Sequence, residues 1–389
     1  MQISASLIPE LPQILRRHAA ETGYSPQMLE HGFARMFAHW NESQFGEFCR
    51  REIPGPLPGD ILHLFDTERT LDERKALIPL PCAENLLLVS ASTVPSASFQ
   101  DVILSLLLPL RVSQRPACNL LPLFEDLQAA LMRTAPLLAS RWEILSPTHD
   151  DARTADALAR HDVVSISGSD ATVEHYRRLA AALPEPHPRI VAHGHRVSAA
   201  ILRRGEIPSV SESDYAALAI DASVWDQTGC LSPKCLFVET DDAVIADGIA
   251  RKLARHLDLV AESLPAVPPD TAQSAARNSA LLMAELDGAT VVRAPRNQDA
   301  VVSWPCGTSF RPLGLPRTLQ VYPVRDAVEA AKGLRPHGQA IASLTPLPEC
   351  DARELADCGY NYFCRFGEMQ DPPLTWFHDG IGTLRPLFA

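Results

Sequence analysis

The chain has no uninterrupted apolar run long enough to cross a bilayer. Its most apolar stretch, Val102 to Val112, is broken by Ser105, Pro109 and Arg111, and it falls short of the roughly 20 residues a spanning helix needs. The opening MQISASLIPELPQILRR places no basic segment ahead of an apolar core. A secretory leader is therefore not expected, and a cytoplasmic setting is. Basic side chains are outnumbered, 35 against 47 acidic, for a formal net charge of −12; nothing resembles the basic stripe of a nucleic-acid binder. The nine cysteines include no CxxC pair, which disfavours a disulfide scaffold or a zinc ribbon and favours reduced thiols. No metal site is expected, since the spacings of Cys350, Cys358 and Cys364 fit no zinc pattern and no His pair completes one. Glycine is ordinary, at 19, while proline reaches 33, so loops should be stiff rather than slack.

What is present is a globular balance, 46% hydrophobic and 21% charged over 389 residues, enough for two domains with sizeable cores. Ser25-Pro26 reads as a helix cap followed by a first-turn proline, with Leu29, Phe33, Met36, Phe37 and Trp40 on one face. From about Leu86 the pattern becomes α/β. Leu86 to Val89, Val163 to Ile166 and Arg189 to Ala192 read as short buried strands. A helical stretch from Phe99 to Leu108 follows the first, and Ser169-Asp170 caps a helix after the second. A second α/β run begins near His195. It includes strands at Cys235 to Val238, Thr290 to Val292, Val301 to Ser303, Leu319 to Tyr322 and Gln339 to Leu344, and a helix capped by Asp241-Asp242. Strands alternating with helices at this spacing predict doubly wound parallel sheets.

The segment Asp226-Gln227-Thr228-Gly229-Cys230-Leu231-Ser232-Pro233-Lys234 carries the most chemistry. A cysteine after glycine, in a polar loop entering a buried strand, can present its sulfur to a substrate. The thiolate is the nucleophile, so amide dipoles or a cation should lower the Cys230 pKa. The bland alternative, a small apolar side chain in a turn, fits the other eight cysteines better.

DQTGCLSPKCLFVE resembles the catalytic-cysteine segment of the fatty-acyl-CoA reductases of bacterial bioluminescence operons, distant members of the aldehyde dehydrogenase superfamily. The tail Pro372 to Gly380, PPLTWFHDG, resembles that family's C-terminal pattern. Ser165 to Ser169 sits where the superfamily has a strand and a nucleotide-contacting Gly-Ser turn. His193 to Ser198 sits where it has a Gly-containing crossover strand. The resemblance implies an aldehyde-dehydrogenase-like fold of two doubly wound α/β domains, with residues 1–195 holding the N-terminal helices and the nicotinamide-cofactor domain. Residues 196–344 would carry Cys230, and 345–389 would return over the active-site cleft. It also implies a reaction. Cys230 takes the acyl group of a fatty acyl thioester, carried on coenzyme A or an acyl carrier protein. NADPH, or NADH as the alternative, supplies hydride, and an aldehyde leaves.

Carried over residue by residue, the resemblance implies Thr93 as an oxyanion donor, in a turn reading Ser92-Thr93-Val94-Pro95 where the family has Gly-Asn-Val-Pro. It implies His378 as a proton-transfer group, and Arg111, Ser167, Gly168 and Ser169 as cofactor contacts. A ribose-binding Glu is expected late in the catalytic domain, yet no carboxylate lies between Asp299 and Asp326. His193 and His195 are further candidates for proton transfer or phosphate contact, each more often structural than functional. By analogy the chain should form a homo-oligomer and could partner an acyl-activating ligase. The rival reading is an acyltransferase or acyl-binding protein that keeps the cysteine and lacks the reductive step. An ordinary aldehyde dehydrogenase, oxidising aldehydes to acids, is disfavoured, because the block around His193 offers no Glu to activate water.

Overall fold

Ser25 opens helix α1 (Pro26–Ala38): its hydroxyl accepts from the Met28 N–H, and Pro26 sits in the first turn, where its missing donor costs nothing. The computed structural model describes residues 8–388 apart from 56, 58–63, 65, 79, 147–149 and 335–337. They form two compact units, Met1–His195 with Pro373–Ala389, and Arg196–Pro372.

The first unit continues with α2 (Glu42–Glu52), β1 (Asn85–Val89), α3 (Pro95–Ser105), β2 (Arg111–Arg115) and α4 (Leu121–Thr134). Then come β3 (Trp142–Ile144), α5 (Asp151–Ala159), β4 (Val163–Ser167), α6 (Asp170–Ala181) and β5 (Arg189–His193). All five strands are parallel, in the order β3-β2-β1-β4-β5. The chain winds outward from β1 to one side and then to the other, so the switch point lies between β1 and β4. The loops leaving the carboxyl ends of those two strands are neighbours, the usual place for a ligand in an open α/β sheet. Leu87, Val89, Val164 and Ile166 face Val173 and Tyr176 of α6 in one apolar cluster. Each such side chain, once buried, contributes about 1.5–3 kcal/mol. Phe33 of α1 meets Phe99 of α3 with ring centres 6.0 Å apart.

The second unit runs β6 (Val197–Leu202), α7 (Glu212–Asp221), β7 (Pro233–Glu239), α8 (Ala243–Ser263), α9 (Thr271–Leu286), β8 (Thr290–Arg293) and β9 (Ala300–Ser303). It ends with β10 (Thr318–Val324), α10 (Ala327–Lys332), β11 (Gly338–Ser343), α11 (Glu349–Ala356) and β12 (Tyr362–Arg365). Its sheet has the order β12-β11-β6-β7-β10-β9-β8. The neighbouring strands pair in parallel save β8 and β9, which are antiparallel. Trp304, Tyr322, Phe237 and Tyr360 anchor its core.

The stretch 345–389, which the sequence sets apart as one segment, is divided in the structure. α11 and β12 extend the second sheet, while Pro373–Ala389 packs in the first unit. The anchor of that return is Glu52 at the end of α2, 1% exposed. Its carboxylate accepts from the backbone N–H groups of Thr383, Leu384 and Arg385 at 2.9, 3.0 and 2.8 Å. Gly382 permits this approach, since a Cβ there would fall 2.4 Å from the Glu52 carboxylate.

Candidate active site

Strand β7 is buried, and Cys230 lies in the loop just before it, half-buried. The backbone leading to it is strained. Trp225, Asp226 and Gln227 have φ of 55°, 49° and 62°, three successive left-handed residues, each costing about 1–3 kcal/mol for a side chain other than glycine. Such a run persists only where its surroundings over-determine it. Here Gln227 donates from Nε2 to the Pro233 carbonyl at 2.7 Å and accepts at Oε1 from the Thr318 N–H at 2.6 Å. The Gln227 carbonyl accepts from Lys234 Nζ. Arg317, 2% exposed, donates from Nε to Asp226 Oδ1 at 2.6 Å and from Nη2 to the Leu264 carbonyl at 2.7 Å. Ser198 of β6 donates to the Cys230 carbonyl at 2.6 Å and accepts from the Ala340 N–H at 3.1 Å. The loop is thus tied to β6, β7, β10 and β11.

Charge around the sulfur follows from burial. Lys234 loses hydration, which pushes its ammonium down to about 8, while the charge of Cys230 pulls it back up. A cation and this thiol are therefore electrostatic neighbours, which favours the thiolate. Cys235, in the strand itself, is the contrast: burial alone pushes its thiol well up, and it packs as a small apolar side chain. On the other side of the loop, Asp221 ends α7 fully buried. It accepts from the N–H groups of Gly367 and Met369 at 2.6 and 3.0 Å. Burial pushes it up to about 8 against those hydrogen bonds. Gln370 donates to both the Asp221 carbonyl, at 3.4 Å, and the Ser232 hydroxyl, at 3.2 Å. The turn after β12 is thereby linked to the cysteine loop.

In the first unit, Thr93 stands in the loop after β1. Its carbonyl accepts from the Tyr24 hydroxyl at 2.6 Å, and Pro95 opens α3 right behind it. Ser167, Gly168 and Ser169 end β4 and start α6, so they share the switch-point loop cluster with Thr93. Ser169 is spent as a cap, accepting from the Thr172 N–H. The structure does not bring Arg111 there. It is exposed at the amino end of β2, paired with Asn85 at the start of β1, whereas the loops in question leave the carboxyl ends. Arg115 closes that end of β2, but it is buried, with its guanidinium donating to Thr154 Oγ1 and the Tyr176 hydroxyl at 3.0 and 2.9 Å.

His378 is brought together with His193, at the end of β5, and with Asp379. The two imidazoles stack at 4.4 Å, with planes 2° apart. His193 Nδ1 lies 3.0 Å from Asp379 Oδ2, and Asp379, 1% exposed in its side chain, holds φ at 55°. His195 is exposed, its N–H donating to Asp170 at 2.8 Å. A Cβ on the intervening Gly194 would come 2.6 Å from that carboxylate, which accounts for a glycine at the crossover.

Across residues 13–389 the chain matches the family model described as acyl-CoA reductase (LuxC). It belongs to that acyl-CoA reductase family. Among curated proteins none matches the chain. Solved structures share the fold of this chain. A NAD-dependent benzaldehyde dehydrogenase from Corynebacterium glutamicum aligns with a TM-score of 0.67 at 16% identity, covering 96% of this chain and 82% of that one. Aldehyde dehydrogenase 21 from Physcomitrella patens gives 0.67 at 13%, with 94% and 76% covered. Glyceraldehyde-3-phosphate dehydrogenase GapN from Methanocaldococcus jannaschii gives 0.64 at 10%, with 94% and 78%. The chain therefore has an aldehyde-dehydrogenase-like fold. No helix among the described residues is long and apolar enough to cross a membrane.

Several residues around Cys230 are not singled out by the sequence reading. Lys234 was within reach, because the thiolate calls for a cation and Lys234 stands in the same segment. Asp221 also leaves a trace, as a carboxylate ending an otherwise apolar helical run. Arg317 and Gln370 leave none, because their partners are about 90 and 138 positions away.

Proposed function

We propose that the chain reduces a fatty acyl thioester to the aldehyde through an acyl group carried on Cys230. The observation that carries this reading is the restrained loop: three left-handed residues, pinned by Arg317 and Gln227, deliver a half-buried sulfur beside the Lys234 ammonium. Such strain is kept where it positions chemistry.

The Cys230 thiolate attacks the thioester carbonyl, and the carbon–sulfur bond to coenzyme A or a carrier protein breaks. The departing thiolate needs less acid assistance than an amine would. The Cys230 backbone N–H is the proposed donor to the oxyanion. A reduced nicotinamide, when bound, supplies the hydride that the acyl carbon accepts. The thiohemiacetal on Cys230 then collapses, expelling the Cys230 thiolate and releasing the aldehyde. Lys234 stabilises that thiolate at the start and end of the cycle. Acyl thioester, reduced nicotinamide and one proton are consumed; aldehyde, free thiol and oxidised nicotinamide result.

For the nicotinamide cofactor, the loops at the switch point of the first sheet fit a sugar-phosphate portion, with no side chain at Gly168 and the Ser167 hydroxyl at the strand end. Ser167 and Gly168 would hold it together with the backbone of Ser169, whose hydroxyl caps α6, and Thr93 lies in the same loop cluster. Arg111 has no part in this set.

The test is NAD(P)H consumption with a panel of acyl-CoA chain lengths, with aldehyde trapped as product. Aldehyde formation is expected from the wild-type chain and is expected to be lost in Cys230→Ala, which should also fail to retain labelled acyl groups. Equal turnover by the Ala variant removes the mechanism. Acyl transfer onto Cys230 without nicotinamide oxidation would instead support the acyltransferase alternative.

A further inference from the structure

Cys230 sits at the second position of a tight turn. The Gly229 carbonyl accepts from the Ser232 N–H at 3.2 Å, so Cys230 and Leu231 are the two central residues. A nucleophile in so short a turn is aimed by whatever holds the turn. Its entry is fixed by the left-handed run and the Arg317 and Gln227 hydrogen bonds. Its middle is fixed by Ser198, which donates to the Cys230 carbonyl at 2.6 Å. Its exit is Ser232, fully buried, whose hydroxyl lies 3.2 Å from Gln370 Nε2.

Chemistry fixes which way the Gln370 amide faces. Its other partner is the Asp221 backbone carbonyl, at 3.4 Å, which only accepts. The NH2 group therefore faces both partners, with the Ser232 oxygen accepting. One amide thus joins the end of α7 to the end of the cysteine turn. The segment that carries Gln370 is itself fixed. The Asp221 carboxylate grips the N–H groups of Gly367 and Met369, and Met369 is fully buried. The Tyr362 hydroxyl donates to the Glu368 carbonyl at 2.8 Å. Gly367 lies against α7 with φ at 88°, and a Cβ there would come 3.0 Å from the Ala217 Cβ. A group held on its own side in this way can hold another in place, which an amide on a slack loop cannot.

We infer that Gln370 is a positioning residue for Cys230, acting through the Ser232 hydroxyl. The role rests on the proposed acyl-transfer reading and deepens it. Lys234 sets how much of the thiol is ionised. Gln370 sets where the sulfur and the Cys230 N–H point when the thioester carbonyl arrives. The reacting atoms must approach to about 3–3.5 Å in alignment, and a misplacement of about 1 Å costs on the order of 100-fold in rate. Two reactions of the same sulfur then separate the contributions. Attack on a carbonyl held by the protein needs orientation; alkylation by a small, freely diffusing reagent needs only a reachable thiolate.

The experiment measures both in the full chain: single-turnover transfer of a labelled acyl group from acyl-CoA, without nicotinamide, and alkylation of Cys230 by iodoacetamide, followed by peptide mass. Gln370→Met keeps the side-chain length and loses the donors. It is expected to slow acyl transfer at saturating acyl-CoA by about tenfold or more, with the half-saturating concentration and the alkylation rate within about twofold of wild type. Gln370→Glu should fare no better, because its carboxylate would face the Asp221 carbonyl. Ser232→Ala removes the same hydrogen bond from the other end, so the double variant should be within about twofold of the slower single variant. Undiminished acyl transfer in Gln370→Met, additive losses in the double variant, or an equal fall in alkylation overturns the role. Should Gln370→Met fail to fold, Ser232→Ala decides by the same two rates. A wild-type chain that takes up no acyl group removes the acyl-transfer reading, and this role with it; wild-type uptake matched by the variants removes the role alone.

Discussion

Lys234 and Asp221 show how one loop can hold two displaced ionisations of opposite kind. The ammonium of Lys234 stays charged below about 8, where it favours the neighbouring thiolate. Replacing it with Met removes that cation at similar length. The pH midpoint for alkylation of Cys230 by iodoacetamide should then rise by about one unit or more, while Lys234→Arg keeps most of the effect. An unmoved midpoint would mean that Lys234 serves the Gln227 carbonyl alone. Asp221 acts through stability. Its folded-state value, about 8, lies above the roughly 3.9 of an unfolded Asp. The folded chain therefore keeps a proton that the unfolded chain releases. That term is fully present below about pH 4, and it is lost as pH rises towards 8. Asp221→Asn should flatten the decline of melting temperature over that range, on top of a constant offset from an imperfect amide–backbone fit. Parallel melting curves for the two chains would remove Asp221 as the source.

The loop before β7 is the element whose integrity depends most on one side chain. Arg317 neutralises Asp226 at 2.6 Å and faces Asp299 at 3.6 Å. Burial raises Asp226, and it pushes Asp299 up to about 6. Arg317→Met leaves Asp226 without its cation and Asp299 with the Arg277 charge alone, a loss of about 3–5 kcal/mol, read as a lower urea midpoint for the second unit. A shift below about 1 kcal/mol would show that water reaches them. Elements with an apolar period were legible in the sequence: β1, β4, β7, β10 and the capped helices α1, α6 and α8 fall within a few residues of their expected places. Strand β2 was not. It reads RVSQR, and its Ser113, Gln114 and Arg115 are buried because Glu143, Ser90, Thr154 and Tyr176 hydrogen-bond them. A polar strand satisfied by distant partners carries no hydrophobic signal. The same gap explains Arg111, placed one strand-length from the loops it was expected to serve.

At the scale of the molecule, the cysteine segment and the tail motif together made the family legible, and alternating strands and helices made the fold class legible. The discontinuity of the first unit was not, because a strand-free tail offers no periodicity to follow. Its docking depends on the Glu52 carboxylate and on contacts made by Arg189 and Cys82 with Phe388. Chain connectivity then fixes an order of events during synthesis. While the ribosome is still translating the second unit, Glu52 has no amides to receive it, and the first sheet waits with one flank open. The second unit is complete once residue 372 has emerged, so the part of the protein made first is the part that closes last.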